Sequence, residues 1–225
     1  MSDPRTHGTP AWMDLSTSDV EAAIGFYTAL LGWTVTRAHT PMGLYAIGAV
    51  GDLEVGGMME PVPVEGMPAF WTVFFTVDDV DATVAAVEAA GGTVLEPAFD
   101  LPDARIAVVA DPTGATFGLI RGLRADGAYL DRGPGTVRWV ELLTRDLAAA
   151  ETFYAQLFGW KATTDGADDE GGGYTIFSLD EAELTGMMLM PEQVPAEVPA
   201  YWSAYFAVGD VAARRQVVGH HEVEF

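Results

Sequence analysis

An internal repeat constrains the fold of this chain more than any other feature of its sequence. The segment WMDLSTSDVEAAIGFYTALLGW at 12–33 returns as WVELLTRDLAAAETFYAQLFGW at 139–160. The match continues in PAFWTVFFTVDDV at 68–80, which returns as PAYWSAYFAVGDV at 199–211. The offset between matching residues changes only from 127 (12 to 139) to 131 (68 to 199), as small loop changes would produce. Because such self-similarity marks duplicated folding units, the sequence predicts two copies of one module.

The boundaries of the modules follow from the repeat and from a segment of different composition between its copies. Residues 122–136, GLRADGAYLDRGPGT, are rich in Gly and in charged residues, which is typical of a linker. We therefore predict a first module at 1–121, this linker, and a second module at 137–225.

Residue patterns within the first module predict two consecutive units of the same type. A short alternating strand is followed by a helix with one apolar stripe. The stripe is formed by Val20, Ile24, Tyr27 and Leu31. FWTVFFTV at 70–77 begins a second strand and helix, and Gly-separated strands rich in Val, Ile and Tyr follow each helix. The pattern predicts an α+β fold with two βαβββ units in the first module.

Local signals mark the ends of the first helix in each module. Ser18 and Glu21 fit a capping box, in which the Ser hydroxyl accepts from first-turn amides and the Glu reaches back to the cap. Gly32 and its counterpart Gly159 stand where a helix takes a left-handed cap. The signals predict a helix that ends at the same repeat position in both modules.

The fourth unit departs from this pattern. In the first module, the segment equivalent to the residues after Val211 is predicted to form a long helix and three more strands. After Val211, however, the sequence continues as AARRQVVGHHEVEF. A half-sheet leaves unpaired strand edges and an apolar face. We therefore expect the sheet of the second module to be incomplete or to be completed by a second copy of the chain, as a homodimer.

Composition excludes several classes of partner. The formal net charge is −22 and Lys161 is the only lysine, so a phosphate backbone is repelled and nucleic acid is excluded. No apolar run approaches the ~18 residues of a membrane span, which excludes a membrane partner of that kind. The absence of cysteine excludes disulfides and thiolate sites. Residues 1–12 lack the apolar stretch of a secretory signal, which predicts a cytoplasmic protein.

Three motifs give a resemblance to a known family. FYTALLGW at 26–33 and FYAQLFGW at 153–160 share one pattern, VDDVDA lies at 77–82, and DPTGATFGLI lies at 111–120. Together they resemble the vicinal oxygen chelate superfamily of glyoxalases, bleomycin resistance proteins and extradiol dioxygenases, and in particular its tandem two-module actinobacterial members. The resemblance implies that βαβββ units pair to form a curved mixed sheet around a cavity.

The same resemblance implies where a metal would bind. Metal-dependent members place His, Gln or Glu on the first strand of each unit and Glu on the last strand. Carried over to this sequence, those positions fall on Trp12, Thr72 and Gly118 in the first module. In the second module they fall on Trp139 and Ser203. Since none of these side chains supplies the imidazole nitrogen or carboxylate oxygen that a divalent ion needs, we predict neither a metal nor another cofactor.

Strand alternation predicts which residues share the sheet face opposite the helices. In the first module these residues are Trp12, Asp14, Phe70, Thr72 and Phe74. In the second module they are Trp139, Glu141, Tyr201, Ser203 and Tyr205. An aromatic wall with a few polar groups suits a pocket for a small aromatic or apolar molecule, and it is equally typical of rings that pack an interior.

A methionine cluster recurs at one strand end in both modules. Its members are Met58 and Met59 in the first module and Met187, Met188 and Met190 in the second. The flexible thioether adapts to ligands of irregular shape, and it also fills gaps in protein cores. The cluster therefore supports a ligand pocket only together with the aromatic residues.

Three carboxylates are candidates for a chemical role. Asp14 and Glu141 occupy equivalent repeat positions, where a carboxylate would bind a cationic or hydroxylated ligand or act as a base if burial raised its pKa. Each would alternatively pair with backbone amides or with an arginine, for which Arg138, Arg145, Arg105 and Arg121 are the candidates. Asp111 in the DPTG motif instead fits a type I turn between strands.

Three functions remain open from the sequence. The first is a metal-free protein that binds a small aromatic or apolar molecule. The second is a metal-dependent lyase, isomerase or dioxygenase of the same superfamily, with ligands drawn from Asp14, Glu141 and the tail residues His220 and His221. The third is an interaction scaffold with a fully packed interior.

Overall fold

The computed structural model describes residues 6–40, 43–60, 68–122, 133–166 and 173–213. In chain order its elements are β1 (Pro10–Ser16), α1 (Val20–Leu31), β2 (Thr34–Thr40), β3 (Gly43–Val50), β4 (Leu53–Met59), β5 (Phe70–Thr76), α2 (Val80–Ala89), β6 (Thr93–Asp100), β7 (Ala104–Ala110), β8 (Thr116–Gly122), β9 (Val137–Thr144), α3 (Leu147–Phe158), β10 (Lys161–Asp165), β11 (Tyr174–Leu179), β12 (Ala182–Leu189) and β13 (Tyr201–Phe206). Most of the predicted linker and the tail histidines lie outside the described residues.

These elements repeat the order β-α-β-β-β three times, and β13 begins a fourth unit. The strands form an eight-stranded sheet of order β2-β3-β4-β1-β5-β8-β7-β6 and a five-stranded sheet of order β10-β11-β12-β9-β13. In each complete unit the first strand pairs in parallel with the fourth, while the strands after the helix pair antiparallel. The predicted α+β fold with mixed sheets is confirmed.

Helices α1, α2 and α3 begin with the same cap. Asp19, Asp79 and Asp146 each accept a hydrogen bond from the backbone amide three residues later, at 2.8, 3.0 and 2.9 Å. The predicted capping box of Ser18 and Glu21 is therefore wrong. The Glu21 carboxylate instead forms a bidentate ion pair with the Arg37 guanidinium on β2, with N–O distances of 3.0 and 2.8 Å.

The predicted ends of α1 and α3 are confirmed. Gly32 and Gly159 have φ of +75° and +71°, and their amides donate to the carbonyl oxygens of Thr28 and Ala155. Because the left-handed region strains a residue with a Cβ, glycine suits both positions. The sequence did not predict β2. That strand is exposed along most of its length, and its side chains lack the apolar alternation of a half-buried strand.

The chain folds into two compact units. The larger unit comprises Met1–Ala11, Val73–Gly127 and Val140–Ser203, and the smaller unit comprises Trp12–Thr72, Ala128–Trp139 and Ala204–Phe225. Each unit therefore contains segments of both sequence repeats. This division in space differs from the division by repeats, which places the modules one after the other along the chain.

The core of the larger unit is built on rings from three elements. The Tyr154 ring of α3 stacks on Trp160, with centroids 5.2 Å apart and an interplanar angle of 20°. Phe75 of β5 contacts Trp160 and Trp202 edge-on, with centroids 5.4 and 5.2 Å away. The indole nitrogen of Trp160 donates to the Gly8 carbonyl at 3.0 Å, so a residue just before β1 is held by a side chain from the second repeat.

The smaller unit repeats this arrangement at equivalent positions. Tyr27 of α1 stacks on Trp33, with centroids 5.4 Å apart, and its hydroxyl accepts from the Trp71 indole at 2.9 Å. Phe206 of β13 packs against Trp33 and Trp71, with centroids 5.8 and 5.5 Å away. The Trp33 indole donates to the Gly135 carbonyl at 2.7 Å, so the first repeat in turn holds a residue just before β9.

A buried hydrogen-bond network anchors the DPTG turn of the larger unit. Asp111 is 3% exposed, and its Oδ1 accepts from the Thr113 amide, the Thr113 hydroxyl and the Ala115 amide at 2.8, 2.7 and 3.0 Å. Its Oδ2 accepts from the Tyr154 hydroxyl at 3.0 Å, and that hydroxyl accepts from the Trp202 indole at 3.1 Å. The Gly114 amide donates to the Asp111 carbonyl at 3.0 Å, as a turn requires.

The equivalent tyrosines of α1 and α3 predict alkaline unfolding. Burial raises the pKa of the Tyr27 phenol above its usual 10.0, and burial together with the Asp111 charge raises the pKa of Tyr154 well above that value. A raised folded-state pKa contributes stability that is complete below the unfolded pKa near 10 and is lost as pH rises further. We expect these phenolates to form only together with loss of the circular dichroism signal. Complete phenolate absorbance before that loss would contradict the prediction, and a urea-unfolded sample serves as control.

Candidate functional site

The predicted first-strand residues of the smaller unit form a hydrogen-bonded cluster. The Trp12 indole nitrogen donates to Asp14 Oδ1 at 3.0 Å and lies 3.2 Å from the Tyr45 hydroxyl oxygen. That hydroxyl donates to the same Asp14 oxygen at 2.7 Å. Trp12 is 4% exposed, while Asp14 and Tyr45 are half-buried. We call Trp12, Asp14 and Tyr45 the Asp14 cluster.

A glycine on the neighbouring strand leaves room for this cluster. Gly57 of β4 is the register partner of Asp14 on β1. A Cβ added to Gly57 would lie 2.0 Å from Asp14 Oδ1 and 2.1 Å from the Tyr45 hydroxyl oxygen, which is closer than any real contact. The Asp14 cluster therefore depends on glycine at this position.

Tyr45 is a site residue that the sequence analysis missed. It lies on β3 in register with Met59 of β4, so strand alternation places it on the same face as Gly57 and Asp14. Its equivalent in the second repeat is Tyr174 of β11, in register with Met188. The tyrosine repeats at the same offset as the methionine on the neighbouring strand (45 to 174, 59 to 188), but tyrosine is common in half-buried strands, so its presence alone did not mark a site.

In the larger unit, an aromatic ring occupies the position of the expected last-strand ligand. Gly118 of β8 is the register partner of Phe74 on β5. A Cβ on Gly118 would lie 2.0 Å from the Phe74 Cδ1 atom, so the ring covers this glycine and leaves no space for a carboxylate side chain. Phe74 is 4% exposed. Because aromatic carbon and a glycine supply no donor atom, these residues do not fit the divalent metal of the metal-dependent members.

The second repeat has a carboxylate at the position equivalent to Asp14. Glu141 of β9 is in register with Gly186 of β12, as Asp14 is with Gly57, and it is 6% exposed. Trp139, two residues earlier on the same strand, is half-buried. Each complete unit therefore pairs glycine on its fourth strand with a bulkier side chain on its first.

The structure buries Met190, which is 4% exposed, and separates the other predicted methionines into two pairs. Met58 and Met187 are fully buried and in register with Leu15 and Leu142, on the opposite face from the two carboxylates. They belong to the core and are not brought to the candidate site. Met59 and Met188 are the half-buried members, and alternation places them on the same face as Asp14 and Glu141 respectively.

The remaining predicted residues lie on β5 and β13. Phe70 is half-buried and Thr72 is buried, and both share the alternation of the candidate face on β5. Ser203 is half-buried, whereas Tyr201 and Tyr205 on the same face of β13 are 37% and 47% exposed. β13 is the last strand in the order of its sheet, within the residues that the structure describes.

Two of the arginines predicted as partners for the carboxylates, Arg105 and Arg145, bind other groups. Arg105 pairs with Asp81 and Asp100, each at 2.8 Å, and its guanidinium holds the pKa of Asp81 below the usual value. Arg145 donates to carbonyl oxygens of the loop before β13, those of Val194, Pro195 and Val198. These arginines therefore secure strands and loops.

Two further features bear on the site. Across the described parts of the chain, no group of three or more His, Asp or Glu side chains is arranged to hold a metal ion. The larger unit also has an open cleft of about 220 Å³, lined by His7, Asp78, Asp79, Ala82, Thr83, Ala86 and Leu157. None of the predicted site residues lines this cleft.

Comparison with known sequences identifies the family. The sequence profile of the Glyoxalase/Bleomycin resistance protein/Dioxygenase superfamily matches residues 9–119 and 122–225. The chain belongs to this superfamily, which confirms the resemblance carried by the FY-x-x-L-x-GW and DPTG motifs.

Named relatives cover most of the chain. Putative glyoxylase CFP32 of Mycobacterium tuberculosis is 40% identical over 212 residues, which cover 92% of this chain and 79% of the relative. Anthracycline biosynthesis protein DnrV of Streptomyces peucetius is 35% identical over 221 residues, with the same coverage of 92% and 79%.

Solved structures show the same fold at low identity. The Mn(II)-bound glyoxalase from Novosphingobium aromaticivorans has a TM-score of 0.65 and 17% identity, and the match covers 95% of this chain and 72% of the glyoxalase chain. The 2,3-dioxygenase LapB from Pseudomonas sp. KL28 has a TM-score of 0.65 and 14% identity, covering 98% and 83%. At these identities the likeness shows the fold alone. Among the described residues, no helix is long and apolar enough to cross a membrane.

Proposed function

We propose that this chain binds a small aromatic or apolar molecule without a metal ion. In the smaller unit, the proposed binding face carries Trp12 and Asp14 on β1, Tyr45 on β3, Met59 on β4, and Phe70 and Thr72 on β5. Indole and phenol rings provide area for stacking, while the Asp14 carboxylate fixes the orientation of a ligand through hydrogen bonds. The cytoplasmic location and the homodimer stay predictions from the sequence.

The observation that carries this proposal is the filling of the expected ligand positions. On β1 the position holds Trp12, whose indole nitrogen is a donor and already points at Asp14 at 3.0 Å. On β8 it holds Gly118, which the Phe74 ring covers. An indole N–H has no lone pair for a metal, and a covered glycine has no side chain to offer.

A metal-dependent lyase, isomerase or dioxygenase is the alternative function. It is favoured by the relative named as a putative glyoxylase and by the Mn(II)-bound glyoxalase and 2,3-dioxygenase among the structural neighbours. Such an enzyme would need a ligand set that includes residues outside the described part of the chain. Asp14 and Glu141 are the carboxylates that the described strands would contribute.

Metal content and ligand binding separate these two functions. We expect protein incubated with Mn(II) and then dialysed to retain far less than one ion per chain by elemental analysis. A thermal-shift screen of small aromatic compounds should give the same shifts with and without a chelator, since ligand binding to the folded state raises the melting temperature. One ion per chain, lost on chelation together with the thermal shifts, would instead support the metal-dependent enzyme.

A further inference from the structure

We propose that the ligand carries a protonated amine, and that each repeat provides one carboxylate to bind it, Asp14 in the first and Glu141 in the second. This inference rests on the proposed function and specifies the class of ligand. It also gives the chain two binding positions of the same chemistry.

The first position is defined by the geometry of the Asp14 cluster. Two donors, the Trp12 indole and the Tyr45 hydroxyl, converge on Asp14 Oδ1 at 3.0 and 2.7 Å. These two hydrogen bonds fix the orientation of the Asp14 carboxylate on the strand. A half-buried carboxylate fixed in this way presents a negative charge to the face that carries the aromatic rings. An ammonium group can bind such a carboxylate through a charge-assisted hydrogen bond.

The second position repeats the first through strand register. Glu141 faces Gly186 as Asp14 faces Gly57, and Tyr174 is in register with Met188 as Tyr45 is with Met59. Four side-chain types therefore recur on three strands: acid, tyrosine, glycine and methionine. Core packing alone requires apolar residues of suitable volume and does not call for a carboxylate at the same position twice.

The charge of the chain agrees with a cationic ligand. With a formal net charge of −22, the protein attracts cations over a distance and repels carboxylates and phosphates. A neutral ligand would gain the same ring contacts but not the charge-assisted hydrogen bond, which is about twice as strong as a neutral one.

Matched pairs of amines and alcohols test this inference on the full chain. We would titrate tryptamine against tryptophol, and 2-phenylethylamine against 2-phenylethanol, by isothermal calorimetry at neutral pH and low salt. Each pair keeps the ring and the chain length and replaces the ammonium group with a hydroxyl. We expect each amine to bind about tenfold more tightly than its alcohol, as one charge-assisted hydrogen bond would give. The stoichiometry should be two amines per chain.

Single variants then assign the two positions. Asp14→Asn and Glu141→Gln should each reduce the stoichiometry from two amines to one and leave the alcohol affinities nearly unchanged. Glu88→Gln on the exposed face of α2 removes the same charge and should leave amine binding unaltered, which controls for long-range attraction. Circular dichroism melting of each variant establishes that it is folded.

The outcomes separate this inference from the proposed function. If amine and alcohol bind equally, or if Glu88→Gln weakens amine binding as much as Asp14→Asn does, the carboxylates do not recognise an amine, although a binding protein remains. If neither member of any pair binds, the proposed function fails along with the inference. Retention of both amine sites in Asp14→Asn and in Glu141→Gln would overturn the assignment of the two residues.

Discussion

Asp111→Ala is expected to lower the free energy of unfolding by about 3–5 kcal/mol, because several donors lose their acceptor and each buried donor left unsatisfied costs about 1–3 kcal/mol. The substitution leaves three donors of the turn and the Tyr154 hydroxyl without their acceptor, and the Ala115 amide and the Tyr154 hydroxyl among them are buried. Urea unfolding followed by tryptophan fluorescence measures the change, since Trp202 donates to Tyr154 within the same network. Asp111→Asn keeps one acceptor oxygen, so its free energy of unfolding should fall by a smaller amount.

The matched control for this prediction is Asp146→Ala. Asp146 is exposed at the start of α3, where its carboxylate accepts one hydrogen bond from the Ala149 amide at 2.9 Å. Loss of such a cap costs about 1 kcal/mol. Equal losses in the two variants would show that the Asp111 network contributes no more than a single exposed cap.

Gly57→Ala is expected to abolish binding at the first repeat and to lower the free energy of unfolding by about 1–3 kcal/mol, the usual cost of overpacking. The added methyl would lie 2.0 Å from Asp14 Oδ1 and 2.1 Å from the Tyr45 hydroxyl, so the two groups must separate. Gly57 does not have a positive φ, so the effect is one of space and not of backbone strain. Calorimetric titration with tryptamine and urea unfolding measure the two consequences.

Gly25→Ala adds the same methyl group at a harmless position. Gly25 lies within α1, and an added Cβ there meets nothing within 4 Å. Alanine is preferred over glycine in helices by about 0.5–1 kcal/mol, so this variant should be slightly more stable and should bind normally. The prediction for Gly57 is wrong if both variants behave alike.

The features that the sequence predicted well are those encoded by local pattern. The alternating segment YTIFSL and its neighbours became β11 and β12, and Gly32 and Gly159 cap their helices with the expected left-handed backbone. The family motifs were equally local, because FY-x-x-L-x-GW covers the end of one helix and the two residues that connect it to the next strand. Such signals need no knowledge of distant contacts.

The features that the sequence did not predict depend on contacts across strands. Alternation placed Asp14 on the candidate face, but only the register of β3 with β4 shows that Tyr45 reaches it. Met58 and Met59 formed a single cluster in the sequence, although adjacent strand residues point to opposite faces. For the first helix cap, residues 16–19 are four consecutive hydroxyl or acidic residues, and the structure shows that Asp19, with an extended backbone, caps the helix.

Each compact unit contains contacts between residues of different repeats, and these contacts limit how the chain can evolve by recombination. Gly8 is held by Trp160 and Gly135 by Trp33, while Phe75 and Phe206 each pack among tryptophans of the compact unit to which they belong. Replacing one repeat by a homologous copy from another gene would therefore alter both hydrophobic cores at once. Recombination at the junction of the repeats is expected to succeed only between parents whose aromatic residues match at all of these positions.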